Sequence, residues 1–218
     1  NALGSFLGDG MYNVPGGRYV YYSRTFGKSK LLVQLNITYK DGTTTEIVTD
    51  DSWSMASSPI IFSCIYGGED YDSRLEQKNF SLPQFQENET WEPVYMVEPP
   101  KGKLISRSIP PVKVMKTYNP VKITEIKPGV YLYDLGTNFS GWVRVIMKSN
   151  KNMAGTVVTM TPGEILNDSQ EPDQRVTGKG YHWQYTLSDD EIHNYAPKFT
   201  YTGFRYVMVE GAIPKEYA

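Results

Sequence analysis

Cysteine, histidine and long apolar runs are what this 218-residue sequence has least of. Its single cysteine, Cys64, excludes any disulfide within the chain. Cys64 lies in the apolar run Pro59-Ile60-Ile61-Phe62-Ser63-Cys64-Ile65. A small buried hydrophobe is expected there, because a reactive thiolate needs an electropositive and accessible setting. The two histidines, His182 and His193, have no second His or Cys at metal-ligand spacing, which argues against zinc. No apolar stretch reaches the roughly eighteen residues of a membrane-spanning helix. There is no Gly-x-Ser-x-Gly elbow, and no glycine-rich phosphate loop opens a helix. The net charge of -2 comes from 22 basic and 24 acidic residues mixed along the chain, with no basic stripe, so nucleic acid is not an expected partner. An initiator Met and the charged start of a signal peptide are also missing, so a cleaved chain or part of a longer one is expected.

What is present is a globular composition rich in rings. Charged residues make up 21% and hydrophobic residues 39%, too apolar for a disordered segment. The 17 tyrosines and 4 tryptophans fit a sugar-binding surface, since the C–H face of a sugar stacks on a ring. Tyrosine is equally a good strand former, so composition leaves both readings open.

Strand signals recur along the chain without a long amphipathic helix. The first series covers Arg18–Phe26, Lys30–Tyr39, Thr44–Val48, Ser52–Met55 and Ile60–Ile65. Asp41-Gly42 between the second and third marks a hairpin. Residues 78–110 hold Pro83, Pro93, Pro99, Pro100 and Pro110. Proline resists central strands, so an extended connection between two domains is expected here, fixed to a core by Trp91. A second series follows at Val112–Ile126, Val130–Leu135, Gly141–Lys148, Gly155–Glu164, His182–Leu187, Lys198–Tyr201 and Phe204–Glu210, with a long loop over 167–181. Such spacing predicts an all-β chain of two antiparallel β-sandwiches in tandem, over 1–108 and 109–213, with 214–218 as the start of a linker.

Two places invite a search for chemistry. In Gly67-Gly68-Glu69-Asp70-Tyr71-Asp72-Ser73-Arg74-Leu75-Glu76 a strand would put Asp70, Asp72, Arg74 and Glu76 on one face. Arg74 would then sit between carboxylates and keep them ionised. A structural ion-pair network is expected there, ahead of a ligand-facing role, and a catalytic dyad is not, since a general acid needs a raised pKa. The loop Gly8-Asp9-Gly10-Met11-Tyr12-Asn13-Val14-Pro15-Gly16-Gly17 offers oxygen ligands that suit calcium, but a plain glycine-rich turn explains it equally. The Asn-x-Ser/Thr sequons at Asn36, Asn79, Asn88, Asn138 and Asn167 are expected to be chance matches in a bacterial chain.

Five segments together carry a resemblance. They are Asn1-Ala2-Leu3-Gly4 with Leu7-Gly8-Asp9-Gly10-Met11-Tyr12, then Thr49-Asp50-Asp51-Ser52-Trp53, then residues 65–76, then Tyr133-Asp134-Leu135-Gly136-Thr137-Asn138-Phe139-Ser140-Gly141-Trp142-Val143-Arg144, and Phe199 to Val207. In order and spacing the chain resembles the bacterial α-L-rhamnosidases of glycoside hydrolase family 78. The resemblance implies a pair of accessory β-sandwiches ahead of an (α/α)₆ catalytic barrel that carries the acid and base, so no catalytic residue is expected within the chain. It implies rhamnose-containing glycans and that barrel in cis as partners, and a periplasmic or secreted parent. The family's first sandwich has roughly one more hairpin before the Asn-Ala-Leu-Gly segment, so an open edge or swapped pairing is expected in the first domain. In some relatives this sandwich is a calcium-dependent rhamnose-binding module. The positions that match are Asp9, Tyr12 and the backbone of Val14 and Pro15, with Asp9 the candidate calcium ligand; Met11 stands where the family carries Trp. The motif residues Asp72, Arg74, Asp134, Asn138, Trp142, Phe204 and Arg205 are expected to be structural or interdomain.

Overall fold

The computed structural model describes residues 2–19, 21–99, 101–177 and 180–212. Its described strands are β1 (Asn13–Val14), β2 (Arg24–Thr25), β3 (Gln34–Thr38), β4 (Thr44–Val48) and β5 (Ser54–Met55). There follow β6 (Ile60–Cys64), β7 (Gly68–Asp72), β8 (Glu92–Pro93), β9 (Lys122–Lys127) and β10 (Val130–Gly141). The last are β11 (Val145–Lys148), β12 (Val157–Gly163), β13 (His182–Thr186), β14 (Ile192–Tyr195) and β15 (Thr202–Glu210). Single 3-10 turns at Ser73–Leu75 and Lys151–Met153 are the described helical elements. The expected linker at 214–218 lies outside the described residues.

The chain forms two compact units, and they interleave in sequence. One gathers Asn1–Leu7, Lys30–Ser57 and Asn79–Met115; the other gathers Gly8–Ser29, Ser58–Lys78 and Lys116–Ala218. The division expected near residue 108 therefore differs from the division in space. The reason is β6 and β7, whose inward side chains complete the core of the larger unit. Alternation in a sequence marks a strand, but it does not say which strand will be its neighbour.

The larger unit is built on a seven-stranded sheet in the order β6-β7-β13-β12-β15-β10-β9. Five of its pairings are antiparallel as expected, but β7 and β13 run parallel, with Glu69 opposite Trp183 and Tyr71 opposite Tyr185. Period-two burial makes the sheet's core face, with Val158 and Met160 on β12, Trp183 and Tyr185 on β13 and Val207 and Val209 on β15; Phe204 joins it from beyond the register shift with β10. The β11–β14 ribbon adds Val145, Met147 and Tyr195 to this cluster. Trp183, Phe204 and Met160 are fully buried. Trp142 is partly buried and packs against them, so Phe204 and Trp142 are core residues as the sequence indicates.

The smaller unit is different. It holds two ribbons, β3–β4 and β5–β8. The Asp41-Gly42 hairpin is present, with Gln34 opposite Val48 and Thr38 opposite Thr44. Each ribbon has two strands among the described residues. No described residue of this unit is fully buried, and Leu35, Ile47 and Val48 on the hairpin are exposed. Residues 78–110 are not merely a connection. They belong to this unit from Asn79 onward and contribute β8, where Pro93 pairs at a sheet edge. Trp91 packs edge-on against Phe85, ring centroids 5.4 Å apart.

Several expected strands are shorter than their sequence pattern. Arg18–Phe26 yields only β2, and Val112–Ile126 yields only β9, after Pro120. Lys198–Tyr201 is irregular, because its backbone is used otherwise, as described next.

Candidate functional site

The buried carboxylates show what this chain can do chemically. Glu69 is fully buried on β7. Its Oε2 accepts from the backbone N–H groups of Lys198 (3.0 Å) and Phe199 (3.2 Å), and its Oε1 accepts from the Tyr195 hydroxyl (3.2 Å). Burial pushes the carboxyl above its ordinary value, against the pull of these donors and the Lys198 charge. The same burial, with Glu69 beside it, raises the Tyr195 hydroxyl. Sequence reasoning missed Glu69 as the central residue. The signal was there: it shares the inward face of β7 with Tyr71, a charged residue at a core position. Its partners are two backbone N–H groups and a tyrosine hydroxyl of this chain, so it fastens residues 195–199 to the sheet.

The neighbouring acids are committed in other ways. Asp72 caps the 3-10 turn, accepting from Arg74 N (3.1 Å), and takes the Arg74 guanidinium through two bonds of 2.9 and 2.6 Å. Arg74 holds the Asp72 carboxyl below its ordinary value. The wider network does not form. Asp70 pairs with Arg18, and Glu76 accepts from the Tyr71 hydroxyl at 2.8 Å. The single face expected for Asp70, Asp72, Arg74 and Glu76 is lost because the strand ends at Asp72 and the chain turns.

The second motif builds a bulge. On β10 the register with β15 jumps between Asp134 and Phe139, so Leu135–Asn138 loop out opposite Arg205. Gly136 supplies the positive φ of 77° that this turn needs, and its N–H donates to Asp134 Oδ1 at 2.7 Å. Arg205 closes the bulge with two bonds of 2.8 Å to Asp134, and this guanidinium is the main cause of the lowered Asp134 pKa. Asn138 donates to Glu164 at 2.8 Å. Asp134, Asn138 and Arg205 are thus brought together, and each serves the geometry of the sheet.

Around Asp9 the loop is tied to itself. Asp9 Oδ1 accepts from Asn13 Nδ2 (2.8 Å) and Ser29 Oγ (3.3 Å), while the Asp9 carbonyl accepts from Asn13 N (3.1 Å). The Tyr12 hydroxyl donates to the Phe26 carbonyl at 3.1 Å, and the two rings lie 5.6 Å apart. The Pro15 carbonyl faces the Cys64 thiol at 3.7 Å, and Cys64 is buried as expected. Calcium takes about six to eight oxygen ligands. The loop brings one carboxylate, that of Asp9, together with backbone carbonyls, and among the described residues no group of three or more His, Cys, Asp or Glu comes together.

One open cavity of about 500 Å³ lies along the 161–175 region, lined by Asn167, Asp168, Asp173 and Arg175 among others. Asp173 is taken up by Arg175 through bonds of 2.5–3.0 Å.

Family comparison agrees with the motif geometry. The α-L-rhamnosidase N-terminal domain model matches residues 1–116, and the bacterial α-L-rhamnosidase concanavalin-like domain model matches residues 124–218. The chain belongs to the bacterial α-L-rhamnosidase family. An α-L-rhamnosidase of Formosa agariphila is 29% identical over 224 residues, which is 99% of this chain and 23% of that protein. One of Streptomyces avermitilis is 33% identical over 97% of this chain and 20% of its own length. The solved structure of the Streptomyces avermitilis α-L-rhamnosidase complexed with L-rhamnose superposes with a TM-score of 0.82 at 32% identity, over 94% of this chain and 20% of that one. The native Aspergillus terreus enzyme gives a TM-score of 0.75 at 34% identity, over 85% of this chain and 21% of that one. The chain therefore spans about a fifth of the length of the relatives it matches. The all-β reading and the two rhamnosidase domains in tandem stand.

Proposed function

We propose that this chain is a non-catalytic accessory region of an α-L-rhamnosidase, an enzyme that hydrolyses terminal α-L-rhamnose from glycans or glycosides. The observation that carries the reading is the fate of the buried acids. Glu69, Asp72 and Asp173 are each occupied by this protein's own donors, in a chain that matches the N-terminal and concanavalin-like domain models of a family whose relatives are about five times as long. A glycosidase needs two carboxyls flanking the scissile bond, one of them protonated. In the whole protein the partner of these domains is the catalytic barrel in cis. The coding sequence that follows residue 218 tests this: a helical region with paired acidic residues is expected, and its absence would contradict the proposal.

A second reading is a free-standing, calcium-dependent rhamnose-binding module centred on Asp9, Tyr12 and Pro15; the Streptomyces avermitilis relative is one that takes L-rhamnose in a complex. Titration of L-rhamnose by calorimetry, with and without calcium, decides it. Calcium-stimulated heat supports the module, and no heat in either condition rejects it.

A further inference from the structure

Four tyrosines stand together on the larger unit, outside both motifs. Tyr19, Tyr21 and Tyr22 come from the segment between β1 and β2, and Tyr66 from the turn between β6 and β7. Tyr19 and Tyr66 stack with centroids 4.9 Å apart at 27°. Tyr21 meets Tyr19 edge-on at 5.7 Å, and Tyr22 meets Tyr66 edge-on at 5.9 Å. Tyr21 is 75% exposed and Tyr66 is 37% exposed. None of the four hydroxyls bonds to another described residue.

The cluster rests on a fixed support. Arg18 begins the tyrosine segment, and its guanidinium lies 4.3 Å over the Phe62 ring. It donates to the carbonyls of Gly67 (3.3 Å) and His182 (3.4 Å) and pairs with Asp70. The backbone approach is close: a Cβ at Gly180 would come within 2.8 Å of the Arg18 carbonyl oxygen. The support therefore pins the start of the segment against the sheet, yet Tyr21 is left in water. Tyr19 and Tyr22 are half-buried and hold the two exposed rings, Tyr21 and Tyr66, in place; burying such rings contributes strongly to folding, so a contiguous pair left at the surface points to a ligand.

The chemistry of the patch selects the ligand class. The charge beneath it is cancelled, because Arg18 is matched by Asp70. A neutral molecule suits it better than an anion or a cation. Each ring offers an apolar face, and each free hydroxyl can both donate and accept. A pyranose has the same two surfaces, a C–H face and a rim of hydroxyls. We propose that Tyr19, Tyr21, Tyr22 and Tyr66 form a stacking platform for a neutral glycan, with Tyr21 the principal ring. The choice of L-rhamnose as the probe sugar rests on the rhamnosidase reading; the platform itself uses none of the residues of the Asp9 loop.

The test is a titration of the 218-residue chain with methyl α-L-rhamnopyranoside, followed by NMR. Saturable binding is expected in the wild type. Tyr21→Ala should weaken it about tenfold, in line with the worth of a ring stack, while Tyr21→Phe keeps it within about threefold. Tyr21 is mostly in water, so the Ala variant keeps the fold, and circular dichroism verifies this. Binding that survives both Tyr21→Ala and Tyr66→Ala overturns the platform, as does no binding by the wild type. Loss in Asp9→Asn with Tyr21→Ala silent also overturns it and moves the sugar to the Asp9 loop. None of these failures touches the accessory-region reading, which the downstream coding sequence tests.

Discussion

Glu69 is the residue on which the larger unit most depends for joining its sheet to the 195–199 segment. Burial raises its pKa above the ordinary 4.5 despite three hydrogen-bond donors. The sign of the pH effect follows. A group whose folded pKa is raised contributes stability that is full below its unfolded value and is lost as pH rises through the folded one. Glu69→Gln keeps the shape and has no such titration. Between about pH 4 and pH 7 the urea midpoint of the wild type should therefore fall relative to that of the variant. Parallel midpoints across that range would contradict the assignment. Asp134 works in the other direction, since Arg205 lowers its pKa and its contribution is lost in acid. At this scale the sequence was partly readable. The Asp72–Arg74 pair is local, two residues apart, and is visible in the motif itself. The Arg205–Asp134 pair bridges 71 residues, and the Glu69 bonds to Lys198 and Phe199 bridge 129 and 130. No local pattern records which distant backbone a buried side chain will meet.

Among the elements, β7 is the one whose partners could not be read. Its alternation is plain, but its parallel pairing with β13 spans more than a hundred residues of chain, and it moves β6 and β7 into the larger unit. Gly68 makes that pairing feasible. It has a φ of 96°, and a Cβ there would lie 1.8 Å from the His182 carbonyl oxygen. Gly68→Ala should cost more than about 3 kcal/mol in a denaturation midpoint, through both backbone strain and the clash. A variant within about 0.5 kcal/mol of wild type would show that β7 and β13 are not held together as described. The β3–β4 hairpin lies at the opposite extreme. Local alternation and Asp41-Gly42 specify it fully, because everything it needs lies within fifteen residues, Gln34 to Val48.

The whole molecule divides into a unit with a dense aromatic core and one whose described residues are all at least partly accessible. Local opening is cheapest where few apolar groups are buried. Amides of β3 and β4 should exchange with deuterium well before those of β12 and β13. Equal protection would mean that the smaller unit is covered by something that exchange, unlike the strand pattern, can detect. The family was legible from motif order, since the segments that carry it build the bulge, the turn and the core. The calcium reading came from the glycine-rich composition near Asp9, which does not reveal that Asn13 and Ser29 both donate to its Oδ1. The tyrosine platform was hidden for another reason: Tyr66 joins Tyr19 from 47 residues away, and tyrosines in a sequence pass equally for strand residues.

As proposed, the chain belongs to an α-L-rhamnosidase and hydrolyses no rhamnoside by itself. Incubation of the purified 218 residues with an aryl α-L-rhamnopyranoside, with release of the aryl alcohol followed over hours, tests it most directly. The account predicts no turnover above the uncatalysed rate. Turnover that disappears when Glu69, Asp72 or Asp173 is replaced by its amide would contradict it, since those carboxylates would then be working on substrate rather than holding the fold.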